Sequence, residues 1–194
     1  MAELAILNYG AGNVRSVIFA FERLGISPEL TADPQVIREA RHVVFPGVGA
    51  AGAAMTALRA ADLDQLLLDL QQPVLGVCLG MQMMCTSSEE DETPGLRIFD
   101  TEVVHFAHEL KIPHMGWNIL QNMKGPLFEG LERDAEMYFV HSYYAKKCEQ
   151  TVAITDYGHT FTAALQHDNY FAVQFHPEKS GAAGERLLQN FLAL

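Results

Sequence analysis

Residues Pro73–Gln82 read PVLGVCLGMQ. An apolar run ends at Cys78, with Gly76 two positions before it and Gly80 two positions after. A cysteine that only fills space needs no glycine on either side. A nucleophile on a tight strand-to-helix turn does, because small neighbours let strand and helix pass closely around a strained residue. The Gly76-x-Cys78-x-Gly80 spacing therefore has the shape of a nucleophile elbow, with cysteine in the place of serine. Such a turn lifts the sulfur out at the carboxyl end of a sheet, where α/β proteins bind ligands. The start of the following helix favours thiolate over thiol, and the N–H of Leu79 can face a developing oxyanion. On this motif alone, a structural cysteine is the competing reading.

Outward from this turn, the first half of the chain alternates between two periods. ELAILNY (3–9) is strand-like, and from Asn13 the residues Val14, Val17, Ile18, Phe21 and Leu24 fall at helical spacing before a stop at Gly25. PELTA (28–32) reads as a short strand, and Asp33-Pro34 caps and opens a helix through PQVIREA. HVVFPG (42–47) is another strand. One helical region, AAMTALRAADLDQLLLDL (53–70), then leads to PVLGVC. This rhythm predicts an α/β fold: a doubly wound, mixed but mainly parallel sheet with flanking helices and strands buried on both faces. After Cys85 comes an acidic loop, TSSEEDETPG, most simply a solvated one. Leu96–Gln174 reads mainly β, with runs such as TEVVHF, MYFVHSYY, TVAITDY and YFAVQF, and GERLLQNFLAL returns to helical spacing. With no repeat and no long linker, residues 1–194 are expected to form one domain.

Composition narrows the function classes. At 49% apolar and 19% charged residues the chain can bury a full core, and its net charge of −11 argues against nucleic acid or an anionic membrane as the main ligand. Glu3 stands where a secretory leader would be basic, and no apolar stretch approaches the ~18 residues of a membrane span. Cys78, Cys85 and Cys148 are an odd number without ligand spacing, so neither a disulfide framework nor a zinc site is expected, and a cytoplasmic setting suits them.

The nucleophile needs partners. VQFHPEKS (173–180) closes a β run with His176-Pro177-Glu178, and residues two apart on an extended chain project to the same side. A cysteine nucleophile needs an imidazole to move a proton, and the imidazole needs an acceptor to fix its tautomer; Glu178 can be that acceptor. A polar rim is what such a pair would be without a cysteine near it. FPGVGAAG (45–52) follows a strand with little side-chain bulk, so the backbone N–H groups around Gly47, Val48 and Gly49 can converge on an oxyanion; an ordinary turn is the alternative.

Together these segments resemble the class I (triad) glutamine amidotransferases. NYGAGN (8–13), PGVG (46–49), GVCLGMQ (76–82), PHMGWN (113–118), YFVHSY (138–143) and VQFHPEKS also resemble, over essentially the whole chain, the glutaminase subunits of imidazole glycerol phosphate synthases. The resemblance implies that Cys78 attacks the carboxamide of glutamine, His176 shuttles the proton and Glu178 orients His176. It implies an oxyanion hole from Gly47, Val48, Gly49 and Leu79, and a grip on the α-amino and α-carboxylate groups of glutamine by Gln82 and the backbone around Ser142 and Tyr143. It implies a (β/α)8-barrel cyclase subunit as the partner in a heterodimer, with Asn13, Trp117 and Tyr138 at or near the interface. Ammonia made here would pass to the cyclase, since in open solution it would become ammonium and lose nucleophilicity. No metal or cofactor is expected. Ala51 departs from the pattern, standing where these subunits usually carry a bulky aromatic.

Other residues carry less. His105 and His108 lie in a segment that reads β, where residues three apart face opposite sides, so a metal is not expected there. Cys85 reads as core and Cys148 as a surface thiol; His141 either lines the site or is structural. A related triad hydrolase and a non-enzymatic relative of the same fold are the rival functions. PHMGWN and NYGAGN speak against the first and the intact triad against the second.

Overall fold

Alternate residues of the apolar runs point to opposite sides of a strand, and the fold uses both sides. In the computed structural model, which describes residues 2–10, 14–47, 49–107 and 109–194, strand β1 (Leu4–Leu7) sends Ala5 and Leu7 into one core cluster and Leu4 and Ile6 into another. Strand β3 (His42–Gly47) divides Val43 and Phe45 from Val44 in the same way. Strand β4 (Val74–Cys78) divides Val74 from Leu75 and Val77. Two buried faces explain why these strands read as continuous apolar runs.

These strands and β2 (Glu29–Thr31), β11 (Thr151–Asp156), β12 (Thr160–His167) and β13 (Tyr170–Val173) form a seven-stranded sheet in the order β11-β12-β13-β4-β3-β1-β2. Pairing is parallel from β13 through β4, β3 and β1 to β2, and antiparallel at the β11–β12–β13 edge. Helices α1 (Arg15–Arg23) and α6 (Gly181–Leu192) cover one face with Val17, Phe21, Leu187, Leu188 and Phe191. Helices α2 (Pro34–Glu39), α3 (Ala51–Ala60) and α4 (Leu63–Asp69) cover the other with Ile37, Met55, Leu58, Leu66 and Leu67. The doubly wound, mainly parallel sheet expected from the sequence is present. Asp33 caps α2 as read, its carboxylate accepting from the Gln35 N–H at 2.8 Å with Pro34 in the first turn.

Two local readings differ. The single helical region breaks into α3 and α4 at Asp62, whose φ of 54° lies in the left-handed region. The acidic loop is built in rather than merely solvated: Glu90 Oε2 accepts from the Ala51 N–H at 2.8 Å, capping α3, and Glu89 Oε2 accepts from the His105 N–H at 2.7 Å. A carboxylate at a helix N-terminus satisfies an otherwise orphaned donor and opposes the positive end of the dipole.

Two smaller sheets lie outside the main one. Strands β5 (Ser87–Ser88), β6 (Thr93–Pro94), β7 (Glu102–His105) and β10 (Tyr143–Ala145) form a sheet in the order β10-β7-β5-β6. Strands β8 (His114–Ile119) and β9 (Glu136–His141) form an antiparallel ribbon. The ribbon turns Met137, Phe139 and His141 inward and leaves Met115, Trp117 and Ile119 exposed. No helix among the described residues is long and apolar enough to cross a membrane.

Candidate active site

Strand β4 ends at Cys78 with φ 54° and ψ −109°, and α5 (Leu79–Met84) starts at the next residue. A non-glycine residue held at positive φ on a strand-to-helix turn is the strained elbow anticipated from the sequence. Its glycines are required by close approach. Gly47, last in β3, pairs with Cys78, and a Cβ on it would lie 2.7 Å from the Gly80 nitrogen. A Cβ on Gly80 would overlap the Phe45 carbonyl oxygen, and one on Gly76 would press against the Met84 sulfur. Leu79 opens α5, so by position its N–H has no intrahelical acceptor. Gly49 has φ 106°, a conformation that favours glycine. Val48 lies outside the described residues.

The imidazole is close by. His176 Nδ1 lies 2.8 Å from Glu178 Oε1, both side chains are almost fully buried, and Cys78 is near enough to act on the imidazole's pKa. The route to this pairing differs from the strand alternation expected. Strand β13 stops at Val173, and Pro177–Lys179 form a 3-10 turn that brings Glu178 back beside His176. The His176 carbonyl accepts from the Lys179 N–H at 3.0 Å and from Ser180 Oγ at 2.6 Å, which curls the chain into α6. Proline suits the first position of such a turn, where no N–H is needed.

Burial disfavours a charged His176, but hydrogen bonds and charges from Cys78 and Glu178 outweigh it and push the imidazole from the ordinary 6.5 up to about 10. Glu178 Oε2 is buried without a hydrogen-bond partner, so the contact with His176 is the main outlet for that carboxylate. The arrangement favours a resting imidazolium beside the sulfur. A folded pKa raised above the unfolded value adds stability that is complete below about 6.5 and is lost as the pH rises towards about 10. Thermal melts of the wild type should therefore fall between pH 6.5 and 10. In Glu178→Gln, which keeps the acceptor oxygen but loses the charge, the folded pKa should be lower, so this decline should be smaller and end at lower pH; an identical profile would contradict the coupling.

Cys78 is 8% exposed, and its sulfur has two further polar neighbours. Gln174 Nε2 points at Cys78 Sγ from 3.6 Å, and the Val140 carbonyl lies 4.0 Å away. Gln174 is fully buried and lies within VQFHPEKS; its role was not legible there because nothing local to residue 174 indicates that Cys78 is its neighbour. Gln82, expected to hold glutamine, uses Nε2 internally, donating to the Tyr143 carbonyl and to Gln174 Oε1, each at 2.9 Å. Ser142 bridges β9 and β10, and its carbonyl accepts from the Phe106 N–H at 3.1 Å. His141 is buried, and its Nδ1 donates to the Tyr143 carbonyl at 2.7 Å. Burial, with lesser opposition from that bond, drives its pKa down to about 3, so the ring is neutral. Cys85 is buried in the core against the Met81 carbonyl, while Cys148 is half-buried against the same core rather than free on the surface.

On the ribbon's outer side, Trp117 is 54% exposed and packs edge-on against Tyr138, its cross-strand partner, with ring centroids 6.1 Å apart. Lys179 Nζ lies 5.9 Å from the Tyr138 ring centroid. The chain's only tryptophan is thus not a core residue. Asn13 and His108 lie outside the described residues.

A family model described as glutamine amidotransferase class-I matches residues 5–194. Imidazole glycerol phosphate synthase subunit HisH from Bacteroides thetaiotaomicron is 52% identical over 195 residues, spanning 99% of this chain and 100% of that protein. The subunit of the same name from Pectobacterium atrosepticum is 46% identical over the same spans. Among solved structures, a glutamine amidotransferase superposes with a TM-score of 0.78 at 18% identity, covering 99% of this chain and 98% of that one. PurLQS from Thermotoga maritima superposes with a TM-score of 0.74 at 15% identity over the same shares. These two likenesses establish the fold, and the sequence matches establish membership: the chain belongs to the class-I glutamine amidotransferases.

Proposed function

We propose that this chain is the glutaminase subunit of an imidazole glycerol phosphate synthase, with Cys78, His176 and Glu178 as its catalytic triad. The observation that carries the reading is a buried His176–Glu178 pair, 2.8 Å apart, next to the cysteine on the strained elbow. The full-length identity to HisH subunits supports the choice of pathway, histidine biosynthesis.

In this reading the Cys78 thiolate attacks the side-chain carboxamide carbon of glutamine, and the carbonyl oxygen gains the negative charge. N–H groups of Leu79 and of the Gly47–Gly49 turn stabilise that oxyanion. Protonated His176 gives its proton to the nitrogen, ammonia leaves, and a γ-glutamyl thioester remains on Cys78. The neutral imidazole then takes a proton from water as the water attacks the thioester. Glutamate departs, and thiolate and imidazolium are restored. Glu178 holds Nδ1–H throughout, which presents Nε2 to the reacting atoms. Gln82, with Nε2 engaged, would meet the substrate's α-ammonium through Oε1, and the backbone at Ser142–Tyr143 would flank it.

The partner is a cyclase subunit, in our reading a (β/α)8 barrel in a heterodimer, which consumes the ammonia. The exposed Met115, Trp117 and Ile119 side of the ribbon, with Tyr138, suits a docking face, since exposed apolar clusters mark interaction sites. The test is a glutaminase assay of the chain alone, with a barrel cyclase, and with the cyclase plus its nucleotide substrate. Slow hydrolysis alone and fast hydrolysis in the full mixture are expected. Full turnover by the chain alone would contradict the partner's role, and cleavage of another amide but not glutamine would favour a different triad hydrolase.

A further inference from the structure

The Tyr143 carbonyl can only accept hydrogen bonds, and it has two donors: Gln82 Nε2 at 2.9 Å and His141 Nδ1 at 2.7 Å. That one fact orients the groups on either side of it. Neutral His141, having its proton on Nδ1, must accept at Nε2, so His114 Nδ1, 3.0 Å away, is the donor. His114 Nε2 is then an acceptor and takes an N–H of Asn118 at 3.3 Å, whose other amide proton goes to the Asp156 carbonyl at 2.8 Å. On the other side, Gln82 gives its second N–H to Gln174 Oε1 at 2.9 Å. With its oxygen so engaged, Gln174 can present only its amide N–H to the Cys78 sulfur. A flipped Gln174 would set its oxygen against an electron-rich sulfur and its amide against a donor.

We propose that Gln174 is a polar partner of the Cys78 sulfur alongside His176, held in place by a hydrogen-bond network in which a run from Asn118 through His114 and His141 converges with Gln82 on the Tyr143 carbonyl, Gln82 in turn donating to Gln174. The network joins the β8–β9 ribbon to the nucleophile through side chains that no local sequence pattern links. Its chemical effect is to supply an N–H to a thiolate inside a site where water is scarce, and a hydrogen bond to a charged group is stronger than one between neutral groups. Gln174 contacts the reacting atom directly. His114, His141 and Gln82 act on the sulfur only through it, so in this effect they are positioning residues. The titratable groups that act on the sulfur are His176, Glu178 through His176, and the Tyr9 hydroxyl.

This inference deepens the glutaminase reading, and its test separates the two. The rate of Cys78 alkylation by iodoacetamide, followed on the Cys78 peptide from pH 5 to 9, needs neither glutamine nor partner. Glutamine hydrolysis by the complex with the cyclase is measured in parallel. Gln174→Met, similar in shape but without the N–H, should shift the alkylation profile to higher pH and lower kcat about 10- to 100-fold, with KM changed by less than about threefold. His141→Leu should shift the profile the same way by less. His141→Asn, whose amide can replace Nδ1–H towards Tyr143, should restore most of it. If Gln174→Met does not fold, Gln174→Glu carries the same test, with a larger shift expected. An alkylation profile unchanged in the Gln174 variant, or equal shifts for His141→Leu and His141→Asn at equal melting temperature, would overturn the inference and leave the glutaminase reading intact. Absence of glutamine hydrolysis in the wild-type complex would overturn the glutaminase reading.

Discussion

Cys78→Ala should abolish glutamine-dependent synthesis by the complex with its cyclase, while added ammonium salt still supports it. In the proposed mechanism the substitution removes the atom that forms the thioester. Among the other thiols, Cys85 is buried in the core with its sulfur hydrogen-bonded to the Met81 carbonyl, and Cys148 packs against the same core beside Thr151. Losing the nucleophile of a catalytic triad costs on the order of 10⁶-fold in turnover, so residual activity should fall below detection. Rates with glutamine and with ammonium salt, measured on the same preparation, separate loss of this step from loss of folding. Retained glutamine dependence would remove Cys78 from the mechanism.

Gly80→Ala should destabilise the fold and distort the elbow together. The added Cβ would overlap the Phe45 carbonyl oxygen, and the neighbouring Phe45 carbon and ring leave it no other direction. Backbone must move, because the obstructing atom is main chain of a central strand paired on both sides. Moving β3 would draw Gly47 away from the elbow, to which it is paired through Cys78. Overpacking of this kind costs about 1–3 kcal/mol, and the upper end is expected here. In a chain of this length that corresponds to a fall in melting temperature of roughly 6–12 °C. Glutaminase activity per folded molecule should fall as well. A variant with wild-type melting and activity would show that β3 and the elbow are not in the tight contact described.

Much of this architecture was legible in the sequence because its causes are local. Apolar runs buried on two faces, the Asp33-Pro34 helix start and the glycine spacing around Cys78 each leave a trace within a few residues. The three residues proposed as a triad could be picked out because each lies in its own short motif. What was missed depends on the third dimension. The left-handed break at Asp62 has no glycine to announce it. The carboxylates of the acidic loop look like solvated charges until α3 and β7 are brought against them. The turn that pairs His176 with Glu178 replaced a strand alternation that would have placed the same two residues on one side. Gln174, His114 and His141 find hydrogen-bond partners far away in the chain, which no periodicity records.

Covalent capture of the substrate is the step most open to direct observation. The complex, turning over glutamine in the presence of the cyclase's nucleotide, can be acid-quenched within a few turnovers and digested for peptide mass spectrometry. A γ-glutamyl group on the peptide carrying Cys78, accumulating when water attack is slowed and absent without glutamine, is the predicted result. Steady release of glutamate with that peptide unmodified at every quench time, or with the acyl group on another residue, would contradict it.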